Sequence, residues 1–322
     1  MRTTSEEAIK VLFNKAQSVL IISHCRPDGD TIGASLALRE ALKQKISEVD
    51  VVCDGVIPQK YDFLPETENY KNFASVNKKY DLYVFVDCAS LGQTGDCCQF
   101  VRSDYLTLNI DHHVSNAEYA KYNYVDNKAS CCEVTFALLK KLGYKINEKI
   151  AEFLLLGVVT DTGNFSHNNT TAQTLKVAGE LMEIGANLYK INQKMFKSQP
   201  KNRSDLFLSV MQNMEFYHDG QVAMIVISKS EMEKYSADAS LTEGFIDYPM
   251  EIAGVEIGIS VMENKEKTYK ISFRSKGKAN VNKLAAVFGG GGHVCASGAM
   301  LRGYLEDVID KLVYTSGLYL ED

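Results

Sequence analysis

Four short segments in the first half of the chain concentrate aspartate and histidine. They are His24-Cys-Arg-Pro-Asp28-Gly-Asp30, Val86-Asp87, Asp111-His112-His113 and Asp161-Thr162-Gly163. If Asp28, Asp30, Asp87 and Asp161 meet in one crevice, they cannot all ionise beside one another without counter-charge. Two divalent ions would carry as much positive charge as those four carboxylates carry negative. Carboxylate and imidazole donors without a thiolate suit Mn(II), Mg(II) or Fe(II) better than structural zinc. A pair of such ions about 3.5–4 Å apart is a recurrent device for in-line displacement at phosphorus. The expected chemistry is metal-dependent hydrolysis of a phosphate ester.

Taken singly, each segment has a plainer explanation. Asp-Gly-Asp is a common turn, and adjacent histidines are commonly surface or core residues. Position changes that. The first three segments each follow an apolar run that reads as a strand (18–24, 81–87 and 105–111), and three of the six histidines lie in them. In an open parallel sheet, ligands bind at the carboxyl ends of the strands, so the three segments can converge. A purely structural cluster of this kind would stand against several kcal/mol of repulsion. Asp161 closes an expected helix, 148–160, rather than a strand. Cys25 and Cys88 each follow a candidate ligand by one residue. Alternation along a strand turns such neighbours away, so both are read as small buried residues.

The elements that must position these groups alternate in type. A further strand is expected at 49–54, and residues 31–43 place Ile32, Leu36, Leu38 and Leu42 at helical spacing. Helical patterns follow at 131–142, 148–160 and 172–184, with Cys131 and Cys132 opening the first of them. This predicts an α/β fold whose N-terminal domain, 1–190, is a mainly parallel sheet with flanking helices. A polar, Lys-rich stretch with Pro200 is expected as a linker over 191–205. Residues 206–322 then read as a smaller α+β domain with a mixed or antiparallel sheet. Its strands are expected at 221–228, 255–263, 268–275 and 295–302, and its helices at 281–288 and 305–313.

The second domain carries one unusual stretch. Four consecutive glycines, Gly289 to Gly292, allow close backbone approach and can present N–H groups to an anion. With His293 beside them and Arg274 upstream on a strand, phosphate contact is expected at Gly290, Gly291, Gly292, His293 and Arg274. His218 is read as a turn residue and His167 as a loop residue.

Composition sets the bounds. The 322 residues carry a net charge of −6, which argues against coating long nucleic acid, since that takes many phosphate-neutralising cations. The average is uneven: residues 265–283 carry +6, leaving −12 on the remainder. That division suits a short anionic substrate. Apolar residues make up 45%, near the globular average. The longest apolar runs are too short to span a bilayer. None of the eight cysteines forms a C-x-x-C pair, and the charged N-terminal stretch reads as an amphipathic helix rather than a signal peptide. A cytoplasmic protein with no membrane partner is expected.

Together these motifs resemble the DHH phosphoesterases, in particular the short members with a C-terminal DHH-associated domain that form the bacterial nano-RNase and pAp phosphatase group. The resemblance rests on residues 24–33, Asp87, Asp111-His112-His113, Gly157-Val-Val-Thr-Asp161-Thr-Gly163 and Gly289-Gly-Gly-Gly-His293 with Ala296, Ser297 and Gly298. It departs at Gly33-Ala34-Ser35, where Gly-Ser is more usual, and at Cys25 and Cys88. It implies one metal on His24, Asp28 and Asp87 and a second on Asp30, Asp87, His112 and Asp161, with Asp87 bridging. It implies that Asp111 orients an imidazole, that His113 faces the scissile phosphate, and that catalysis lies in the interdomain cleft. Arg274 and His293 would hold substrate phosphates, with Ser275 and Asn280 as further nucleotide contacts.

The activity implied is manganese-dependent hydrolysis of short oligoribonucleotides and of 3′-phosphoadenosine 5′-phosphate (pAp), with Asp87, Asp111 and His113 as catalytic residues. Cyclic-di-AMP or pApA phosphodiesterase and exopolyphosphatase are the enzymatic alternatives. A non-catalytic nucleotide sensor is disfavoured by the intact ligand set. A homodimer is one option for the assembly.

Overall fold

The computed structural model describes residues 4–102 and 104–320. It divides into two units, Met1–Ser198 and Gln199–Asp322. The first contains α1 (Glu6–Lys15), β1 (Ser18–Ile22), α2 (Gly29–Leu42), β2 (Glu48–Cys53), β3 (Tyr70–Asn72) and β4 (Leu82–Val86). It continues with β5 (Thr107–Asp111), β6 (Tyr122–Val125), α3 (Cys131–Lys141), α4 (Glu148–Asp161), α5 (Ala172–Ile184) and α6 (Leu188–Phe196).

The six strands form a wholly parallel sheet in the order β3-β2-β1-β4-β5-β6. Strand order therefore reverses between β1 and β4. A reversal of this kind opens a crevice beyond the carboxyl ends of the two strands, where open α/β sheets bind ligands. Both faces are buried, which explains the continuous apolar runs. Val19, Ile21, Leu82, Val84 and Val86 face the core shared with α1 to α6. Leu20, Ile22, Tyr83 and Phe85 face a second, aromatic-rich core. That side is covered by loops and by short 3-10 turns within Leu91–Phe100.

Helices α2 and α4 cross closely because glycine lines their contact. A Cβ on Gly33 would collide with the Phe153 carbonyl, and one on Gly29 would come within 2.6 Å of Thr160 Cγ2. Gly157 meets the same constraint from the α4 side, as its Cβ would collide with Cys132 Sγ and lie 2.6 Å from Asp30 Oδ1.

The second unit contains α7 (Lys201–Gln212), β7 (Glu215–Tyr217), β8 (Val222–Ile227), α8 (Lys229–Lys234), α9 (Asp247–Glu251) and β9 (Ile257–Lys265). β10 (Thr268–Ser275), α10 (Val281–Val287), β11 (Gly291–His293), β12 (Ala296–Arg302) and α11 (Leu305–Gly317) complete it. Its mixed sheet runs β11-β12-β10-β9-β8-β7, with β8 and β9 parallel and the other pairs antiparallel.

One local expectation changes. The stretch expected as a linker is largely helical, holding the end of α6 and the start of α7. Its polar composition hid the two helices, which are anchored by Ile191 in α6 and, just beyond the stretch, by the buried Leu206 and Val210 of α7. Within the glycine run, Gly291 and Gly292 pair with β12 together with His293. Among the described residues, no helix is long and apolar enough to cross a membrane.

Candidate metal centre

Each donor is placed by a short local rule. Beyond β1 the chain turns into α2, and Asp28 caps that helix, its Oδ1 accepting from the backbone N–H of Asp30 and Thr31 at 3.0 Å. Asp30, in the first turn, is buried. Its oxygens accept from the first N–H groups of α3, Cys131 N at 2.6 Å and Cys132 N at 2.9 Å. A helix N-terminus favours a carboxylate in this way. Asp87 directly follows β4 and is buried with φ at +58°, a left-handed conformation that costs a non-glycine residue energy. His112 Nδ1 donates to Lys128 O at 3.1 Å, which leaves Nε2 for the site. Asp161 is the last residue of α4.

These side chains meet in one cavity of about 430 Å³, lined by His24, Asp28, Asp87, His112, His113 and Asp161. Two donor groups face each other across Asp87. On one side, His24 Nε2 lies 3.7 Å from Asp87 Oδ2 and 3.9 Å from Asp28 Oδ1. On the other, His112 Nε2 lies 3.5 Å from Asp87 Oδ1, 3.8 Å from Asp161 Oδ2 and 3.9 Å from Asp30 Oδ2. These spacings exceed hydrogen-bond lengths. They match donors sharing one ion at about 2.1 Å each, which lie roughly 3–4 Å apart. Asp87 Oδ1 is buried and accepts no hydrogen bond from the described residues. Buried polar atoms are rarely left so, and a cation would satisfy it. The residues present fit divalent metal.

The electrostatics agree. Burial pushes Asp30 well above the usual carboxylate range, and the charges of Asp87, Asp161 and Asp28 add to the shift. Burial and Asp87 likewise raise Asp28. Burial raises Asp161 to about 6, partly countered by His112. Asp87 goes the other way. Burial opposes its charge, but the facing His24 ring, together with His112 and His113, outweighs that and holds its pKa down. The hydrogen bond to Asp111 raises His113 to about 9.

The raised carboxylates have a measurable consequence. A carboxyl whose folded pKa exceeds its unfolded value adds nothing at low pH, where both states are neutral. Above the folded value, near 6 for Asp161, it destabilises the fold in full. Bound cations remove that cost and stabilise by mass action. Chelation is therefore expected to lower Tm by several degrees more near pH 7.5 than near pH 5, as scanning calorimetry would show. An equal drop at both values would count against the cluster as the cation site. His113 contributes oppositely: its stabilisation is complete below about 6.5 and is lost as pH rises through about 9.

Sequence reasoning missed several lining residues. Arg26, Gly92 and Gln93 line the cavity, and so does Cys25, which is half-buried rather than buried. Cys88 is buried as expected. Arg26 is the one Lys or Arg among the described lining residues, and its place inside the first motif was a usable signal. Gln93 carries no such signal: it lies far along the chain, and only the fold brings its carbonyl to accept from Cys25 N at 2.7 Å.

The remaining expected residues lie in the second unit. Arg274 pairs with Ala296 on β12, which pairs with His293 on β11, so Arg274 and His293 share one face of the sheet. His293 is exposed, while Arg274 lies 3.4 Å from Asp247. Ser275 Oγ is buried without a hydrogen-bond partner among the described residues. Asn280 caps α10, accepting from Asn282 N and Lys283 N at 3.1 Å. Gly290 and Gly292 are required by the close pass against β12, where a Cβ would collide with the Gly298 and Ser297 region, whereas a Cβ on Gly291 would meet little.

Residues 18–158 match the DHH family, N-terminal domain, and residues 219–319 match the DHHA1 domain. The Thermus thermophilus bifunctional oligoribonuclease and PAP phosphatase NrnA is 31% identical over 88% of this chain and 84% of its own length. The chain belongs to the DHH family. The Bacillus subtilis protein of the same name is 29% identical over 92% of each chain. A crystal structure of an exopolyphosphatase-related protein from Bacteroides fragilis superposes with a TM-score of 0.91, at 27% identity over 98% of this chain and 96% of that one. The DHH match spans β1 to α4 and thus includes every cavity-lining residue except Asp161.

Proposed function

We propose that this DHH protein is a hydrolase that cleaves short oligoribonucleotides and pAp, using two divalent ions, Mn(II) first among them, in the cytoplasm. The observation that carries the reading is Asp87, whose two oxygens face two separate donor groups. The relatives named for oligoribonuclease and PAP phosphatase activity support the substrate class. Divalent ions held there would supply Lewis-acid polarisation of a phosphate and a lowered pKa for bound water.

The chain's own groups do the rest. His24, Asp28 and Asp87 would hold one ion, and Asp30, Asp87, His112 and Asp161 would hold the other. His113, fixed by Asp111, places a protonated ring against the phosphate and stabilises charge that develops on its oxygens. Arg26 adds an exposed cation at the same cavity.

Arg274 and His293 are proposed to bind the substrate's phosphates, with Gly291 offering backbone N–H and Ser275 and Asn280 in weaker support. His293→Ala is expected to raise KM roughly tenfold or more, the cost of a lost charge-assisted contact, while metal content stays unchanged. Unaltered KM, measured by steady-state kinetics, would remove His293 from the substrate site.

A phosphate-release and product-length assay over pAp, pApA, short RNA, cyclic-di-AMP and polyphosphate, each with Mn(II) and Mg(II), tests the function. Fastest turnover of pAp and of two- to five-nucleotide RNA is expected. Preference for cyclic-di-AMP or polyphosphate would replace the reading.

A further inference from the structure

His113 is held by more than its direct partner. Asp111, buried at the end of β5, uses both oxygens: Oδ1 lies 2.7 Å from His113 Nδ1, and Oδ2 accepts from Asn116 Nδ2 at 2.5 Å. The same amide nitrogen donates to Asn109 Oδ1 at 2.7 Å. Asn116 Oδ1 accepts from Glu118 N at 2.7 Å, which fixes the orientation of the amide. Asn109, also buried, donates to Phe85 O and Cys88 O at 3.3 Å. Those two carbonyls flank Asp87 in the chain. A continuous hydrogen-bonded path therefore runs from the backbone around Asp87 through Asn109, Asn116 and Asp111 to His113.

We propose that Asn116 is a positioning residue for His113, acting through Asp111. The position needs two N–H donors and one acceptor on a small planar group, and asparagine supplies all three. An aspartate there would set one carboxylate against another. A leucine would leave Asp111 Oδ2 buried without its donor, freeing the carboxylate to turn. With Asp111 clamped, Nδ1 of His113 keeps its hydrogen toward the protein. Nε2 remains the ring nitrogen with no protein partner among the described residues. The role of His113 at a phosphate rests on the phosphoesterase reading above, whereas the clamp itself does not.

The test is a double-mutant cycle on the full chain loaded with Mn(II), with bis(p-nitrophenyl) phosphate as the probe. Asn116→Leu is expected to lower kcat by about 10- to 100-fold, the usual range for residues that orient a site. In the His113→Ala background the same change is expected to cost less than about twofold, because the two residues act as one unit. Metal content per chain should not move. Equal losses in both backgrounds, no loss in the native background, or lost metal would each overturn the proposal. Asn116→Ser serves in place of the leucine variant if that one fails to fold.

A second measurement is independent of turnover. In Mg(II)-loaded protein with ¹⁵N-labelled histidine, His113 is expected to show a slowly exchanging downfield Nδ1 proton that disappears in Asn116→Leu. Its persistence in the variant overturns the proposal. If the native protein hydrolyses no phosphate ester, the phosphoesterase reading fails, and this spectrum still decides the clamp.

Discussion

Asp87→Ala is expected to abolish hydrolysis, with kcat falling roughly a thousandfold or more and metal content dropping from the proposed two ions per chain to one at most. The reason is geometric. Asp87 Oδ2 faces His24 and Asp28, and Oδ1 faces His112, so removing one side chain takes a donor from both groups. Lewis-acid stabilisation of a phosphoryl transition state contributes several kcal/mol, and about 4 kcal/mol corresponds to about a thousandfold. Asp87→Asn sharpens the experiment, because it keeps the shape of the side chain and deletes only its charge. If the asparagine variant still binds two ions and turns over near the native rate, Asp87 does not bridge. Elemental analysis of the purified variants, alongside initial rates, reads both quantities. The left-handed backbone at Asp87 adds a control. Asp87→Gly relieves any strain there, so recovered stability without recovered activity would separate the cost of the conformation from the chemistry it serves.

Gly157→Val is expected to produce the largest loss of stability, about 3 kcal/mol or more, through overpacking where α2 and α4 cross. Any Cβ at Gly157 meets Cys132 Sγ and Asp30 Oδ1, so the branched side chain must push apart the helices that carry Asp28, Asp30 and Asp161. For a domain of this size, that corresponds to a fall in Tm of roughly 6–12 °C. Weaker metal retention should accompany it. Gly179→Ala is the matched control, since that glycine lies in α5 with ordinary φ and open space around its Cβ position. Replacement there is expected to stabilise by about 0.5–1 kcal/mol. Calorimetry of the two variants separates a glycine required by packing from one that is not. A Gly157→Val protein with native Tm would show that the α2–α4 contact is looser than described.

Much of the centre was legible because it follows strand ends. The runs before His24 and Asp87 are apolar on both faces of a buried parallel sheet, so their boundaries show in composition, while the run before Asp111 alternates Leu108 and Ile110 with the buried polar Thr107 and Asn109. Asp161 was harder to place, since it comes from a helix end and reaches the cavity through a helix crossing that depends on Gly33 and Gly157. Spacing along the chain does not encode that crossing. The donors that hold Asp30 were invisible for another reason: they are backbone N–H groups of Cys131 and Cys132, which any residue type could supply.

Asn116 shows the same limit from the side-chain side. It follows the Asp-His-His segment in a loop with no period to read, and only the folded structure brings it against Asp111. In the second unit, the four glycines suggested an anion cradle. Two of them, Gly290 and Gly292, are already required by the approach of β11 to β12. A glycine run marks close backbone approach, and the sequence does not say whether a ligand or another strand makes it.

The central claim is a pair of metal ions joined by Asp87. Anomalous diffraction from crystals grown with Mn(II), collected on both sides of the manganese absorption edge, tests it directly. Two anomalous peaks about 3.5–4 Å apart are expected, one beside His24 and Asp28, the other beside Asp30, His112 and Asp161, with an oxygen of Asp87 bound to each. A single peak, or two peaks that leave Asp87 uncoordinated, would contradict it.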